Sequence, residues 1–219
     1  MSTHTADYLE AIDHLPAGAT LRLRHMDWDE YEQLLDELAG RAGLRVSYDQ
    51  GRLEIMSPLP EHEEYKEFIL RLAHVLSEEL GMPLETRGSA TYKRERTATG
   101  AEPDTSFYVQ NAAAIIGKRK IDLNVDPPPD IVVEIDLTHE SLSKFPIYAA
   151  LGVPEIWHYN GERAQIYNLV GDDYIEASAS RFFAVVSGEL LAEFIERSKQ
   201  QGQSVALAAF RQRVQARRT

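Results

Sequence analysis

The sequence has 219 residues, of which 43% are hydrophobic and 26% charged, a composition that is ordinary for a globular domain with a sizeable core. A net charge of −12 excludes a protein that coats nucleic acid through overall positive potential, but not an enzyme that uses a local basic groove. The absence of cysteine excludes disulfides and thiolate metal sites. No apolar run is long enough to span a bilayer and no signal-peptide pattern is found, so we expect a cytoplasmic location and no membrane contact.

In the first half of the chain, the pattern of capping, turn and apolar residues predicts a helix, a hairpin and a second, longer helix. Asp27 and Glu30 form a capping-box pattern that begins the first helix. The segment 44–58, LRVSYDQGRLEIMSP, alternates around an Asp-Gln-Gly turn and predicts the hairpin. Apolar residues at helical spacing predict the longer helix over 61–80.

Residues 127–157 carry the side chains of greatest chemical interest. PPPDIVVEIDL opens on three prolines and continues as an apolar strand, in which Glu134 and Asp136 share one face because they are two residues apart. Two acids on one face of a buried strand need a cation, a proton or an arginine. Pro146 is tolerated only in a first helical turn, so the next helix holds Lys144 in its opening turn.

The remaining pattern predicts further strands and an amphipathic helix, ELLAEFIERSKQ. We expect a mixed α/β (α+β) fold, with a mixed sheet flanked by helices and with an N-terminal helix and hairpin. The expected organisation is one domain over 25–198. It is preceded by an N-terminal extension, 1–24, and followed by a basic helical tail, 199–219, which we interpret as peripheral.

Asp104 and Glu134 are candidates for a shared metal site. Asp104 follows a proline at the start of a strand, which is an unusual position for a structural carboxylate, although an Asx-turn is the alternative. Magnesium takes oxygen ligands, keeps several waters and needs few protein carboxylates. A nearby lysine such as Lys144 can orient water or stabilise developing negative charge. The three residues together predict a phosphodiesterase site that uses Mg²⁺ or Mn²⁺.

Four segments together resemble the Uma-two family of restriction-endonuclease-like proteins, within the PD-(D/E)XK nuclease superfamily. They are RLEIMSPLPEH (52–62), AEPDTSFYV (101–109), PPPDIVVEIDLTHESLSKFPIY (127–148) and LGVPEIWHYN (151–160). The resemblance implies a restriction-endonuclease-like core, a divalent metal ion and DNA as the substrate.

By position, the resemblance makes Asp104 and Glu134 the metal ligands and Lys144 the catalytic lysine. The superfamily pattern has lysine two residues after the glutamate, where this chain has Asp136. In this family the lysine commonly moves to the following helix, and Lys144 fits that place. Asp136 is then either an additional metal ligand or an acid that supports the ligands.

His62 and the acids around it form a second group of candidates at the start of the longer helix. On the residues alone, His62 either caps a neighbouring loop or points into the site. The family pattern has histidine at this position, which adds His62 to the catalytic residues. An acid from the first helix contributes in some superfamily members, and Glu64 or Glu61 is the candidate here, although the helix macrodipole also favours acids in this turn.

Positive charge is clustered in RGSATYKRER (87–96), in KRK (118–120) and in the tail from Arg211. The first cluster supplies weak candidates for DNA contacts, namely Arg87, Lys93, Arg94 and Arg96. The alternative for each cluster is a solvated loop or a frayed end.

The leading hypothesis is therefore a Mg-dependent endodeoxyribonuclease, active as a homodimer because two sites are the common way to cut both strands. The second is a catalytically inactive nuclease fold that serves as a DNA-binding or protein-interaction module, which Asp136 and the acidic balance favour. The third is that Asp104 and Glu134 are structural acids paired with arginines such as Arg87 or Arg94.

Overall fold

The computed structural model of the chain describes residues 3–41, 43–137 and 143–217. Its helices are α1 (Thr3–Asp13), α2 (Trp28–Leu38), α3 (Pro60–Leu80), α4 (Ala112–Ile115), α5 (Phe145–Leu151), α6 (Gly188–Gln201) and α7 (Gln203–Ala216). Its strands are β1 (Thr20–Arg24), β2 (Arg45–Asp49), β3 (Arg52–Met56), β4 (Glu85–Thr86), β5 (Tyr92–Arg94), β6 (Thr99–Ala101), β7 (Thr105–Tyr108), β8 (Ile131–Ile135), β9 (Glu155–Tyr159), β10 (Ala164–Val170) and β11 (Asp173–Ala177).

Local sequence signals set the ends of the main helices. Asp27 caps α2 and forms the predicted capping box with Glu30. Pro60 occupies the first position of α3, where a missing N–H does no harm. Gly81 and Gly152 end α3 and α5 in the left-handed conformation, with φ of 65° and 79°.

The first sheet is antiparallel, with strand order β1-β3-β2-β6-β5. The predicted hairpin is confirmed: β2 and β3 are joined through Gln50 and Gly51, which have the two positive φ angles that a tight hairpin turn requires. One face of this sheet packs its apolar residues, such as Val46 and Ile55, against α2. The other face carries polar side chains, including Arg45.

The second sheet has strand order β11-β10-β9-β8-β7-β4, and β8 and β9 are its parallel pair. Ile131, Val133 and Ile135 of β8 belong to the main core, which α3, α6 and α7 also line. Val132 belongs to the smaller core beside α5, so Glu134, which alternates with the main-core residues, faces α5 as well. The predicted mixed architecture is confirmed, with the acidic strand at its centre.

Two segments that the sequence places outside the domain pack within it. β1 pairs along its whole length with β3, and Ile12 of α1 is buried under the first sheet. α7 buries Ala206, Phe210 and Val214 against the main core. The peripheral location expected for the C-terminal tail is wrong, because these apolar residues recur every four positions and form an inward stripe.

The basic residues of α7 are largely neutralised by neighbouring helices. Arg211 pairs with Glu78 and Glu79 of α3, and Arg213 with Glu193 of α6. In the ranges that the structure describes, no helix is long and apolar enough to cross a bilayer.

Candidate active site

Asp104 directly precedes β7 and is hydrogen-bonded to the neighbouring strand β8. Its N–H donates to the Val133 carbonyl at 3.1 Å, and its Oδ2 accepts the Ile135 N–H at 2.8 Å. The residue is 1% exposed, and its Oδ1 has no hydrogen-bond partner among the described residues. Because a buried carboxylate oxygen without a donor is unfavourable, Oδ1 is a candidate for ligand binding.

Glu134 lies on the adjacent strand and is held by two residues of the α5 region. Lys144 Nζ donates to Glu134 Oε2 at 2.6 Å, and the Tyr148 hydroxyl donates to Oε1. Lys144 is the N-cap residue of α5, immediately before the first turn, and Tyr148 is four residues later on the same face. The segment between Glu134 and Lys144, which the sequence predicts as a turn, includes 138–142, and these lie outside the described residues.

Burial dominates the electrostatics of this pair. It raises the pKa of Glu134 to about 7, although Lys144 acts in the opposite direction. Burial alone would lower the pKa of Lys144, but the charges of Glu134 and Asp104 outweigh it and the pKa is raised. Lys144 is therefore a cation at neutral pH, and the Glu134 carboxyl takes up or releases a proton close to neutrality.

Arg45 links Asp104 to the start of α3. Its Nε is 3.6 Å from Asp104 Oδ1, and its Nη2 donates to Glu63 Oε1 at 3.0 Å. Nη1 donates to the Leu44 carbonyl, which fixes the plane of the guanidinium group. The Arg45 side chain is 5% exposed, so its charge partly offsets that of Asp104 in a site from which water is mostly excluded.

Two buried histidines lie in the same region. The His62 ring is close enough to Asp104 and Asp136 for both charges to oppose the lowering of its pKa by burial. His158 is aligned with Glu134 in the β8–β9 register, and burial lowers its pKa too. Both imidazoles are consequently neutral at pH 7, and the Nδ1 atom of each lacks a hydrogen-bond partner within the described ranges.

A cavity of 250 Å³ opens beside Glu134, where the two sheets meet. The first sheet forms one wall, and β8, β9 and the start of α5 form the other. The lining residues are Arg45, Ser47, Glu54, Met56, Glu134, Ile135, Asp136, Ser143, Lys144, Phe145 and His158. Glu134, Asp136 and Lys144 therefore reach one cavity, and Arg45 connects its wall to the buried Asp104.

The part of the chain that forms this site matches the model of a known protein family. The model of the Uma2 (Uma-two) family, described as "Putative restriction endonuclease", matches residues 28–199. The chain belongs to the Uma2 family. No curated protein matches the sequence. The Uma2 match runs from α2 into α6 and contains every site residue described above.

Asp104 and Glu134 keep some of the acceptor capacity that binding of a hard divalent ion would require. Asp104 offers an oxygen without a donor, and a carboxylate has about four lone-pair positions, so the bonds from Lys144 and Tyr148 leave Glu134 with acceptor capacity. Over the described residues, no three His, Asp or Glu side chains are grouped as a metal cage. The protein would thus supply two carboxylates, as Mg²⁺ sites commonly do, with water completing the shell.

The structure places the remaining predicted acids differently. Glu61 and Glu64 are exposed on α3, whereas Glu63, between them, reaches Arg45. The acid that α3 contributes to the site region is therefore Glu63 and not Glu64. Asp136 lines the cavity, and its N–H donates to the Tyr159 carbonyl at 2.8 Å.

The predicted DNA-contact residues mostly have structural partners. Arg87 bonds to Glu85 and to the Ile115 carbonyl, Lys93 to Glu32, and Arg94 to the Leu123 and Ala150 carbonyls, while Arg96 is exposed. The third hypothesis is met only in part: Asp104 does lie beside an arginine, but it is Arg45 and not Arg87 or Arg94, whereas Glu134 pairs with Lys144.

Sequence reasoning missed Arg45, Tyr148 and His158. The position of Tyr148 near the site could have been predicted from the sequence, since it follows Lys144 by four residues and shares its helix face. Arg45 alternates with Ser47 on the polar face of the hairpin. This alternation indicates that Arg45 faces away from the apolar side of the sheet, but it does not identify Asp104 as its partner. His158 became visible only through the β8–β9 register.

Proposed function

We propose that this Uma2 protein is a divalent-metal-dependent endonuclease that hydrolyses phosphodiester bonds in DNA. The observation that carries the proposal is that Asp104, just before β7, interacts with Glu134 of β8 and that Glu134 and Lys144, at the start of α5, line one cavity. Two acids with one cation suit phosphodiester hydrolysis, in which negative charge develops around phosphorus and must be offset.

The chain's own residues have distinct roles in this proposal. Asp104 and Glu134 would hold Mg²⁺ or Mn²⁺, and the ion, when bound, activates water and offsets phosphate charge. Lys144, a buried cation at the cavity wall, donates a hydrogen bond to a phosphate oxygen or to the attacking water. Tyr148 fixes the orientation of Glu134 through its hydroxyl.

Arg45 and His62 support the ligands. Arg45 holds the Oδ1 side of Asp104, and Glu63 holds Arg45. His62 is 3% exposed and is not among the described residues that line the cavity, so we assign it a positioning role near Asp104 and Asp136.

The inactive DNA-binding or protein-interaction module is the second candidate. Two observations favour it: Asp136 stands where the superfamily pattern has lysine, and both oxygens of Glu134 already accept hydrogen bonds. Under this hypothesis the Lys144–Glu134 pair is a structural ion pair. The homodimer stays a prediction, which sedimentation velocity of the full chain would test.

Supercoiled-plasmid cleavage tests the enzyme proposal directly. After treatment with EDTA, the wild-type protein should nick plasmid only when Mg²⁺ or Mn²⁺ is restored. Asp104→Asn keeps an acceptor for the Ile135 N–H but loses the negative charge, so it should bind metal at least about tenfold more weakly and cleave correspondingly less. Wild-type protein that binds DNA but never cleaves it, with every divalent ion tried, would support the inactive module.

Metal binding should strengthen as the pH rises through 7. The metal requires the Glu134 carboxylate, and burial raises the pKa of that carboxyl to about 7, so a proton competes with the metal below this pH. Between pH 8 and pH 6 the deprotonated fraction falls about tenfold, and calorimetric titration with Mn²⁺ should show affinity falling about as much.

The matched control for this pH dependence is Glu134→Gln, which has the same shape and no titratable proton. Its weaker metal binding should vary little between pH 6 and pH 8. Equal pH dependence in wild type and variant would show that another group, such as His62 or His158, controls the competition with protons.

A further inference from the structure

One face of the first sheet continues from the cavity wall to the edge strand β1. Directly paired residues of antiparallel strands point to the same face. Ser47, Glu54 and Arg22 form one row across this face, and Arg52 and Arg24 belong to the next row. Since Ser47 and Glu54 line the cavity, the three arginines lie on the cavity side of the sheet.

The two ends of this face differ in what covers them. Over β6 and β5 it is closed, because Ala101 and Tyr92 are buried in the small core beside α5. At the β1 end it is open, since the side chains of Arg22 and Arg52 are 52% and 59% exposed and Arg24 is exposed as well. The arginines therefore flank the cavity on its solvent side.

Arg24 and Arg52 are directly opposite each other in the β1–β3 register. Like charges at opposed positions destabilise a sheet, unless an anion lies between them. Arg52 pairs with Asp49, but the described part of the chain gives Arg24 no hydrogen bond or ion pair. A cleft between these arginines also includes His25 and the backbone of Gly51.

The acids on this face do not neutralise the positive charge that the arginines present to a ligand approaching from solvent. Glu54 accepts from Arg22 at 2.9 Å, and Asp49 accepts from Arg52. The side chains of Glu54 and Asp49 are only 4% and 14% exposed. The guanidinium groups are thus presented to solvent, while the carboxylates are withdrawn beneath them.

We propose that Arg22, Arg24 and Arg52, here called the arginine strip, bind the phosphate backbone of the DNA that enters the cavity. The proposal rests on the proposed nuclease function and adds the surface that receives the substrate. In a chain with a net charge of −12, this strip supplies the local positive potential that a polyanion needs.

The spacing of the strip suits a phosphate backbone. Arg22 and Arg24 are about 7 Å apart along β1, which is close to the distance between neighbouring phosphates along one strand of a duplex. A guanidinium group can donate two parallel hydrogen bonds to each phosphate. These contacts position a strand without reading its bases, so the strip would set affinity and orientation and not sequence preference.

Salt-dependent DNA binding without metal tests the arginine strip. A fluorescent DNA duplex is titrated in EDTA with wild-type protein and with the double variant Arg24→Ala/Arg52→Ala, over about 50 to 200 mM salt. If both side chains contact phosphates, the slope of log Kobs against log salt becomes shallower by about 2. Affinity at low salt should fall at the same time, while circular dichroism should show that the double variant is folded like the wild type.

The matched control is Arg211→Ala/Arg213→Ala, which removes the same charge from α7, where these side chains are 41% and 45% exposed. Its salt slope should equal that of the wild type.

Equal slopes in all three proteins would overturn the proposal, and so would a wild-type protein that fails to bind the duplex at low salt. If the double variant has the shallower slope but the wild type never cleaves DNA, the arginine strip is supported and the nuclease function is rejected. If the wild type cleaves DNA but the double variant has an unchanged slope, the nuclease function is supported and the arginine strip is rejected.

Discussion

Replacing Lys144 by methionine should slow DNA cleavage by about 10²- to 10⁴-fold, which is the range for loss of a positioned catalytic group. Divalent metal binding, measured well above pH 7 so that Glu134 stays ionised without its lysine partner, should be retained or become tighter, because Lys144 Nζ lies 2.6 Å from Glu134 Oε2 and competes for that carboxylate as a cation. Methionine keeps the length of the side chain and suits a position that is 10% exposed. Single-turnover cleavage and calorimetric Mn²⁺ titration measure the two effects separately.

The control for Lys144 is Lys118→Met, since Lys118 also pairs with a buried acid, Asp126, in a loop outside the cavity lining. This variant should cleave at the wild-type rate. A Lys144→Met protein that cleaves as fast as wild type would make Lys144 a structural partner of Glu134. Loss of metal binding along with cleavage would instead show that the ion pair shapes the site.

Among the candidate site residues, those whose position in the fold was predictable have a local signal in the sequence. Asp104 was marked by the proline before it, and Glu134 by two-residue alternation in an apolar strand. Lys144 was fixed by Pro146, which cannot stand inside a helix. Each inference needed fewer than about four neighbouring residues, because helix caps, strand faces and proline geometry are short-range.

The contacts that were not predictable depend on pairing between distant strands. Arg45 reaches Asp104 only because the two sheets meet at that point, and His158 reaches the cavity only because β9 is parallel to β8 in that register. Register is set by the packing of whole faces, so a single sequence does not reveal which polar residues become neighbours.

α7 shows a different limit of prediction from a single sequence. Its apolar stripe of Ala206, Phe210 and Val214 was readable, but the partner of the stripe was not. A helix with one apolar face packs equally well on its own domain or on another chain. Here Phe210 lies 5.0 Å from Phe194 of α6, ring centroid to ring centroid, and the stripe closes the main core.

Asp130 has a structural role that its position in the sequence does not reveal. As the acid of the PPPD segment it is the first carboxylate before the site strand, yet it is 1% exposed and far from free. It accepts the Val109 N–H at 2.7 Å and both the backbone and side-chain amides of Asn111. It therefore fixes the end of β7 to the start of β8, which keeps Asp104 and Glu134 on aligned strands.

Replacing Glu155 by alanine should destabilise the fold by about 3 kcal/mol, because two buried donors and one partly buried donor lose their acceptor. Glu155 is fully buried and accepts Trp157 Nε1 at 2.7 Å, the Ser180 hydroxyl at 2.6 Å and the Arg181 N–H at 2.7 Å. Urea unfolding measures the loss. The loss of stability should exceed the loss caused by most surface substitutions, because these bonds attach the segment after β11 to the central strand β9.

Two variants calibrate this result. Glu155→Gln keeps the volume and one acceptor oxygen, so it should lose about half as much stability. Glu176→Ala removes an exposed acid of β11 and should change stability by less than about 0.5 kcal/mol. Because Glu155 anchors the loop and not the cavity, the folded fraction of Glu155→Ala should bind metal like wild type. An alanine variant that keeps full stability but loses metal affinity would instead show that β9 transmits the Glu155 contacts to His158 and the site.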